Sequence, residues 1–164
     1  MRIFEGVSLP VDLATQTQLI VGKRGSGKTS TAVRLAEQLH RAKVPFVVID
    51  PADVWHGLKT SAAGGPGLEV YVFGGRAKDL ELEPGAGALL AETIVEHRIS
   101  AVLSVKHLSG GERARFVTDF ARTLFQRNTE PVHVILEEAH EVAPQSPMRG
   151  EEIMLGAIGR LWKL

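Results

Sequence analysis

Residues 22–29 read GKRGSGKT and fit the pattern G-x-x-x-x-G-K-[ST] at every position. The pattern suits a nucleotide's phosphates, because glycines let backbone N–H groups approach an anion and the following helix presents its positive end to it. We expect Lys28 to reach the β- and γ-phosphates and Thr29 to place its hydroxyl on Mg²⁺. These residues predict a site for ATP and Mg²⁺. Its nucleotide-binding residues are Gly22, Lys23, Arg24, Gly25, Ser26, Gly27, Lys28, Thr29 and Ser30.

A second group of chemically useful residues is a pair of carboxylates. Glu137 and Glu138 directly follow the apolar run at residues 132–136, which is the form of a Walker B segment. ATP hydrolysis needs one carboxylate for the metal shell and another that orients or deprotonates the attacking water. We assign the first role to Glu137 and the second to Glu138. The predicted metal ligands are Thr29 and Glu137, and the predicted catalytic residues are Lys28 and Glu138.

Composition limits the class of protein. The chain has 164 residues, 44% hydrophobic and 23% charged, which is typical of a single globular domain with its own core. It contains no cysteine, which excludes disulfides, thiolate metal sites and thiol catalysis. The 19 basic and 19 acidic residues balance, so only a local basic surface would hold a nucleic acid. Without a secretory signal or a membrane-length apolar run, we expect a cytoplasmic protein with no membrane partner.

The elements that must position these residues alternate regularly along the chain. Short runs rich in Val and Ile alternate with amphipathic helical patterns, which favours an α/β fold with a mostly parallel sheet flanked by helices in one domain, residues 1–164. The phosphate loop would then join the first strand to the first long helix. The predicted strands are residues 19–21, 46–49, 68–73, 101–105 and 132–136, and the predicted helices are residues 29–41, 86–96 and 112–126.

Residues 108–111 read LSGG, the motif with which ATP-binding-cassette (ABC) ATPases contact a partner's nucleotide. The interval between the phosphate loop and this motif holds predicted strands where a cassette carries a glutamine loop, and its sole glutamine, Gln38, comes too early. A predicted core strand at residues 101–105 also runs directly into the motif. We therefore predict that Ser109 caps the following helix, and an ABC-type ATPase is the less favoured alternative.

Several segments between residues 9 and 145 carry a resemblance to a family. They are LPVDL, IVGKRGSGKTSTAVRLAEQL, VIDPADVWHGL, VFGG, the LS turn with ERARFVTDFARTLFQRN, and VILEEAHEVAPQ. Together they resemble the HerA/FtsK superfamily of P-loop ATPases, particularly the HerA-like proteins of bacteria and phages. The resemblance implies a P-loop NTPase fold of the RecA-like (ASCE) type. It also implies a homo-oligomeric ring, usually a hexamer, that moves double-stranded DNA through its pore, in several cases beside a partner nuclease.

The chain departs from that family at two places. Relatives often carry an Asp before the Leu-Ser turn, where this chain has Lys106 and His107, so a role for that acid is not transferred. The sequence ends at Leu164, inside the helix after the Walker B segment. In the superfamily a further strand with a polar sensor follows, and it inserts between the strand before the phosphate loop (the Walker A strand) and the Walker B strand. We therefore expect a protein truncated after the Walker B segment, with a gap in the sheet or a non-native closure of it.

Two functions remain open. The first is a motor that hydrolyses ATP to translocate or unwind double-stranded DNA, and the second is a nucleotide-dependent switch or assembly module in a defence or signalling complex. Glu138 favours hydrolysis over a pure switch. DNA-stimulated turnover would separate the two functions.

A few residues keep two interpretations each. Asp50 either lies near the nucleotide or forms a turn with Pro51, and Trp55 either stacks on adenine or is buried against its own loop. His140 and Glu141 either sense the γ-phosphate or begin the next segment. The candidate arginine fingers acting in trans are Arg149 and Arg160.

Overall fold

A computed structural model describes residues 2–4, 7, 8, 10, 15–147 and 151–161 of the chain. These residues form an α/β structure with a four-stranded parallel sheet flanked by helices and a separate two-stranded hairpin pairing. The strands are β1 (Arg2–Phe4), β2 (Val7–Ser8), β3 (Phe46–Asp50), β4 (Tyr71–Phe73), β5 (Ala101–Ser104) and β6 (His133–Leu136). The helices are α1 (Lys28–Arg41), α2 (Gly87–His97), α3 (Gly110–Arg127) and α4 (Glu151–Leu161).

The parallel sheet has the strand order β4-β5-β3-β6. Its two central strands, β3 and β5, are buried along their whole length because helices cover both faces of the sheet. Coverage on both faces explains why these strands are continuous runs of apolar residues without alternation. The predicted strands at residues 46–49, 101–105 and 132–136 are therefore confirmed, while the one predicted at residues 68–73 is shortened to β4.

The sheet divides the core into two clusters, one on each of its faces, and helices cover both. Helices α2, α3 and α4 pack together over one cluster, to which α3 contributes Phe116, Phe120 and Leu124. Helix α1 covers the other cluster together with Trp55 and Leu58 of the 3-10 helix Trp55–Lys59. All three predicted helices are confirmed, with bounds shifted by one to two residues. Within the described residues, no helix has the length and apolar character needed to cross a membrane.

The LSGG segment is a strand-to-helix turn, as predicted. Ser109 is the N-cap of α3, and its hydroxyl accepts the backbone N–H of Glu112 while the Glu112 carboxylate accepts the N–H of Ser109. This reciprocal capping box satisfies two backbone donors that a helix start would otherwise leave unpaired. The hydrogen bonds from Ser109 hold the pKa of Glu112 below its usual range. The motif therefore has a local structural role in this chain.

The strand predicted at residues 19–21 is wrong. These residues have no strand structure, and the side chains of Leu19 and Val21 are 82% and 76% exposed. A strand needs a neighbour to accept and donate its backbone hydrogen bonds. Within residues 15–147 and 151–161, β6 pairs only with β3, and a groove of about 320 Å³ separates its other side from residues 15–18. Because residues 19–21 form no strand, the gap predicted between two strands of the sheet stays a prediction.

Candidate functional site

The carboxyl edge of the sheet collects the polar residues. All four strands are parallel, so Asp50 at the end of β3, Ser104 at the end of β5 and Glu137 just after β6 lie at the same edge. Ligands of open α/β sheets bind outside this edge. The sheet topology therefore places Glu137 at the edge where ligands of such sheets bind.

The phosphate loop forms an exposed turn in front of α1. Gly25 and Gly27 adopt φ angles of 78° and 87°. This left-handed conformation would be strained for a residue with a side chain. The turn is closed by the Ser26 N–H, which donates to the Lys23 carbonyl at 3.1 Å. Helix α1 then begins at Lys28 without a side-chain cap, so the free N–H groups and positive dipole of its first turn face the loop. This geometry suits an anion.

Lys28 lies across the phosphate loop. Its Nζ donates to the Lys23 carbonyl at 3.3 Å, so the ammonium group sits over the turn that would receive the phosphates. The loop residues differ in exposure. Gly27, Lys28 and Thr29 are half-buried, and Gly22, Lys23, Arg24, Gly25, Ser26 and Ser30 are exposed.

The two predicted metal ligands are in direct contact. The Thr29 hydroxyl donates to Glu137 Oε1 at 2.8 Å, although the two residues are 108 positions apart in the chain. The contact forms because the first turn of α1 lies beside the end of β6. The other carboxylate oxygen of Glu137, Oε2, accepts the indole N–H of Trp55 at 2.9 Å. Both oxygens of this half-buried carboxylate therefore have a defined donor.

The donor set fits Mg²⁺ bound together with a nucleotide. Mg²⁺ in nucleotide sites is commonly held by one or two carboxylates plus the phosphates, with waters completing the shell. Thr29 and Glu137 supply one hydroxyl and one carboxylate. In the described part of the chain, no group of three or more acidic or histidine side chains is placed to hold a metal alone. A metal at this site would therefore depend on the nucleotide's own oxygens.

Glu138 has a strained backbone. Its φ and ψ angles of 44° and 57° are left-handed, which costs a residue with a side chain about 1–2 kcal/mol. Strain of this kind concentrates at functional sites. The Glu138 carboxylate is half exposed and lies 3.5 Å from His140 Nδ1. Glu138 is therefore more exposed than the half-buried Glu137, and its predicted role with the attacking water stays a prediction.

His140 and Glu141 begin the segment after the strand. They lie in the 3-10 helix Ala139–Glu141, where His140 Nε2 is 3.6 Å from the Glu141 carboxylate. Glu141 also pairs with Arg113 of α3 at 3.0 Å. These contacts favour a structural role for both residues. Of the two candidate arginine fingers, Arg160 is exposed on α4 and Arg149 lies outside the described residues.

Asp50 organises the loop after β3. Its buried carboxylate accepts the backbone N–H groups of residues 52–55 at 2.8 to 3.0 Å. Asp side chains commonly accept such bonds in turns, so the turn-forming interpretation is the one that the geometry supports. The loop places Trp55, which is 1% exposed. Trp55 is therefore buried against its own loop, which confirms one of its two interpretations. Its ring is not available for stacking on adenine.

Asp53 is a second buried carboxylate, which no motif of the sequence predicts. It accepts hydrogen bonds from Ser104 Oγ at 3.1 Å and Arg76 Nε at 3.0 Å, and His56 Nδ1 lies 3.9 Å away. A side chain at Gly75 would collide with it, since an added Cβ would lie 2.1 Å from Asp53 Oδ1. Burial raises the pKa of Asp53, but the hydrogen bonds from Ser104 and Arg76 outweigh it and hold the pKa below its usual range. No local pattern marks this residue.

Replacing Asp53 with Asn should change how stability depends on pH. Because the pKa of Asp53 is lowered by folding, its charge stabilises the fold above about pH 4 and loses that effect as pH falls through the lowered pKa. The Asn variant lacks this contribution. The difference in unfolding free energy between wild type and Asp53→Asn should be largest above about pH 5 and shrink toward about pH 2.

Urea denaturation at a series of pH values measures this difference. Asp119→Asn, which removes a partly exposed carboxylate 3.9 Å from Arg115, is the matched control and should cost little stability, because exposed ion pairs contribute little. A difference for Asp53→Asn that stayed constant from pH 7 to pH 2 would show that the charge of Asp53 does not stabilise the fold.

Comparisons with known proteins add no family to this description. A scan against protein-family models matched none, and searches of curated proteins and of solved structures found no match. The function of the site is therefore inferred from its own residues and geometry.

Proposed function

We propose that this chain is a P-loop ATPase that binds ATP with Mg²⁺ and hydrolyses it. The observation that carries the proposal is the 2.8 Å contact between Thr29 and Glu137. It joins two motifs that the sequence marks independently, a phosphate loop and a strand with terminal carboxylates. An accidental glycine turn would have no reason to lie beside the acidic strand end.

Each residue of the site has a role in this proposal. The backbone N–H groups of residues 22–29 and the ammonium group of Lys28 bind the phosphates. Thr29 and Glu137 hold Mg²⁺, which when bound neutralises charge on the phosphate oxygens. Glu138 orients the attacking water and takes its proton. Its exposed carboxylate has access to such a water, whereas both oxygens of Glu137 already have donors.

The finer assignment is a HerA-like motor of the RecA-like P-loop class, acting on double-stranded DNA as a homo-oligomer. It rests on the resemblance of the sequence segments, and the four-stranded parallel sheet is compatible with it. Surface charge gives it little support, since three arginines of α3 pair with acidic groups. These pairs are Arg113 with Glu141, Arg115 with Asp119 and Arg127 with Glu92. A hexameric ring and a nuclease partner are parts of the same proposal.

The second candidate function is a nucleotide-dependent switch or assembly module. The exposed side chains of Leu19 and Val21, directly before the phosphate loop, favour it. Apolar surface of this kind suits contact with another chain, and its position would couple that contact to the occupied nucleotide site. Slow ATP turnover that ignores DNA would fit this alternative.

The test is ATP hydrolysis with Mg²⁺, measured with and without double-stranded DNA. A motor should hydrolyse ATP several-fold faster with DNA, and Lys28→Ala should abolish both rates. A rate that is indifferent to DNA in a folded protein would support the switch. A wild-type rate equal to that of Lys28→Ala would contradict hydrolysis at this site altogether.

A further inference from the structure

Trp55 has a polar contact that burial alone does not explain. Its ring belongs to the apolar cluster beneath α1, with Leu58 and Val72. A buried indole usually finds a hydrogen-bond partner for its N–H, and a backbone carbonyl would serve. Here the partner is Glu137 Oε2, at 2.9 Å and 82 positions away. The core of the domain is thus connected directly to the acidic strand end.

The contact fixes a side chain that would otherwise be free to rotate. A glutamate has three side-chain torsions, and the last of them has a broad energy profile. The Thr29 hydroxyl donates to Oε1 and the Trp55 indole N–H donates to Oε2. With a donor on each oxygen, the orientation of the Glu137 carboxylate plane is fixed. Glu137 has one more side-chain torsion to restrain than an aspartate would have at this position. Trp55 supplies the restraint.

Trp55 is itself held in place at two points. Its ring is buried, and its backbone N–H donates to Asp50 Oδ2 at 2.8 Å. Because neither the backbone nor the ring is free to move, the indole N–H is a preorganised donor. Supporting groups locked in this way are what hold a functional side chain in its productive geometry.

We propose that Trp55 is a positioning residue for Glu137. Its indole N–H holds Oε2 and thereby aims Oε1 at the hydroxyl of Thr29. The inference rests on the proposed function, because it concerns the carboxylate that would hold Mg²⁺. It assigns to Trp55 a contribution to metal affinity in addition to its contribution to the core.

The first test compares Trp55→Phe with Leu58→Ala. The Phe variant keeps an aromatic ring but lacks the N–H donor, whereas the Ala variant removes apolar volume from the same cluster without a bond to Glu137. Trp55→Phe should raise the Mg²⁺ concentration for half-maximal ATP hydrolysis about tenfold, the effect of one hydrogen bond to a charged group. ATP binding measured without Mg²⁺ should be unchanged. Leu58→Ala should be less stable but keep the wild-type Mg²⁺ dependence.

Equal Mg²⁺ dependence in wild type and Trp55→Phe would overturn the inference. So would an equal shift in both variants, because loss of packing would then explain it. These outcomes leave the proposed function standing, since the wild-type rate is measured in the same experiment.

The second test reads the contact itself, independently of activity. With Trp162 replaced by Phe, the only remaining indole is that of Trp55, because the chain has two tryptophans. In Glu137→Gln, the chemical shift of the Trp55 indole N–H should change and its proton should exchange faster with solvent. In Glu138→Gln, both should stay as in the protein with Trp55 as its only tryptophan. If the indole resonance is unchanged in Glu137→Gln and the protein binds ATP, the positioning role of Trp55 is overturned and the proposed function stands. A protein that shows the contact but binds no ATP overturns the proposed function and the positioning role with it.

Discussion

Lys28→Ala is expected to lower the affinity for ATP about a hundredfold. The variant loses a charged donor to the phosphates, and hydrogen bonds between charged groups are about twice as strong as neutral ones. The fold should be unaffected, because the described polar contact of the Lys28 ammonium group is a 3.3 Å bond to the exposed Lys23 carbonyl. Calorimetric titration with ATP measures the change in affinity, and thermal unfolding checks the fold.

Arg34→Ala is the matched control for Lys28→Ala. Arg34 lies on the same helix and pairs with Glu37 at 3.0 Å, so the variant also removes one positive charge from α1. It lies outside the phosphate loop, so its ATP affinity should stay close to that of wild type. Equal losses in the two variants would indicate a general effect of charge and would contradict the phosphate role of Lys28.

The central fold was predictable because its signals are local. Continuous apolar runs at β3 and β5 indicate strands covered on both faces, and the stripe of Phe116, Phe120 and Leu124 indicates a helix on a sheet. The cap of α3 was also predictable, because Ser109 and Glu112 have the spacing of a capping box. In each case the residues that determine the structure are close in sequence.

The strand predicted at residues 19–21 failed for a different reason. Its apolar residues have strand propensity, but a strand forms only beside a partner, and β6 is separated from residues 15–18 by the groove. Propensity does not encode that partner. The same limit explains why the hydrogen bond of Trp55 to Glu137 and that of Ser104 to Asp53 were missed, since their partners are 82 and 51 positions apart.

The residues of the two motifs were predictable from the sequence, but the residues that form hydrogen bonds with them were not. The two motifs name Thr29 and Glu137, and the structure brings them together. Glu137 is held by a tryptophan that no motif includes. Sequence patterns mark groups that would touch the nucleotide because chemistry restricts their types, whereas a supporting donor can come from any residue that reaches. Prediction from sequence therefore reaches the residues of the two motifs and stops short of the residues that form hydrogen bonds with them.

Glu138→Gln is expected to reduce the rate of ATP hydrolysis about 10²- to 10⁴-fold while ATP still binds. The amide keeps the size of the side chain but takes no proton from water, which removes the contribution of a general base. Binding should persist because the Glu138 carboxylate lies 3.5 Å from His140 Nδ1, after β6 and outside the phosphate loop. Single-turnover hydrolysis and ATP titration measure the two quantities separately. Loss of hydrolysis in Glu141→Gln, with a normal rate in Glu138→Gln, would contradict the assignment.

The backbone of Glu138 allows a second substitution that separates activity from stability. Glycine adopts φ near 44° without strain, so Glu138→Gly should be more stable than Glu138→Gln by about 1 kcal/mol. Both variants should be inactive, because neither has a carboxylate at this position. If the glycine variant is the more stable, the native residue is kept at a cost in stability, which agrees with a functional role for its carboxylate. A glycine variant no more stable than Glu138→Gln would remove that argument, and the assignment would then depend on the hydrolysis rate alone.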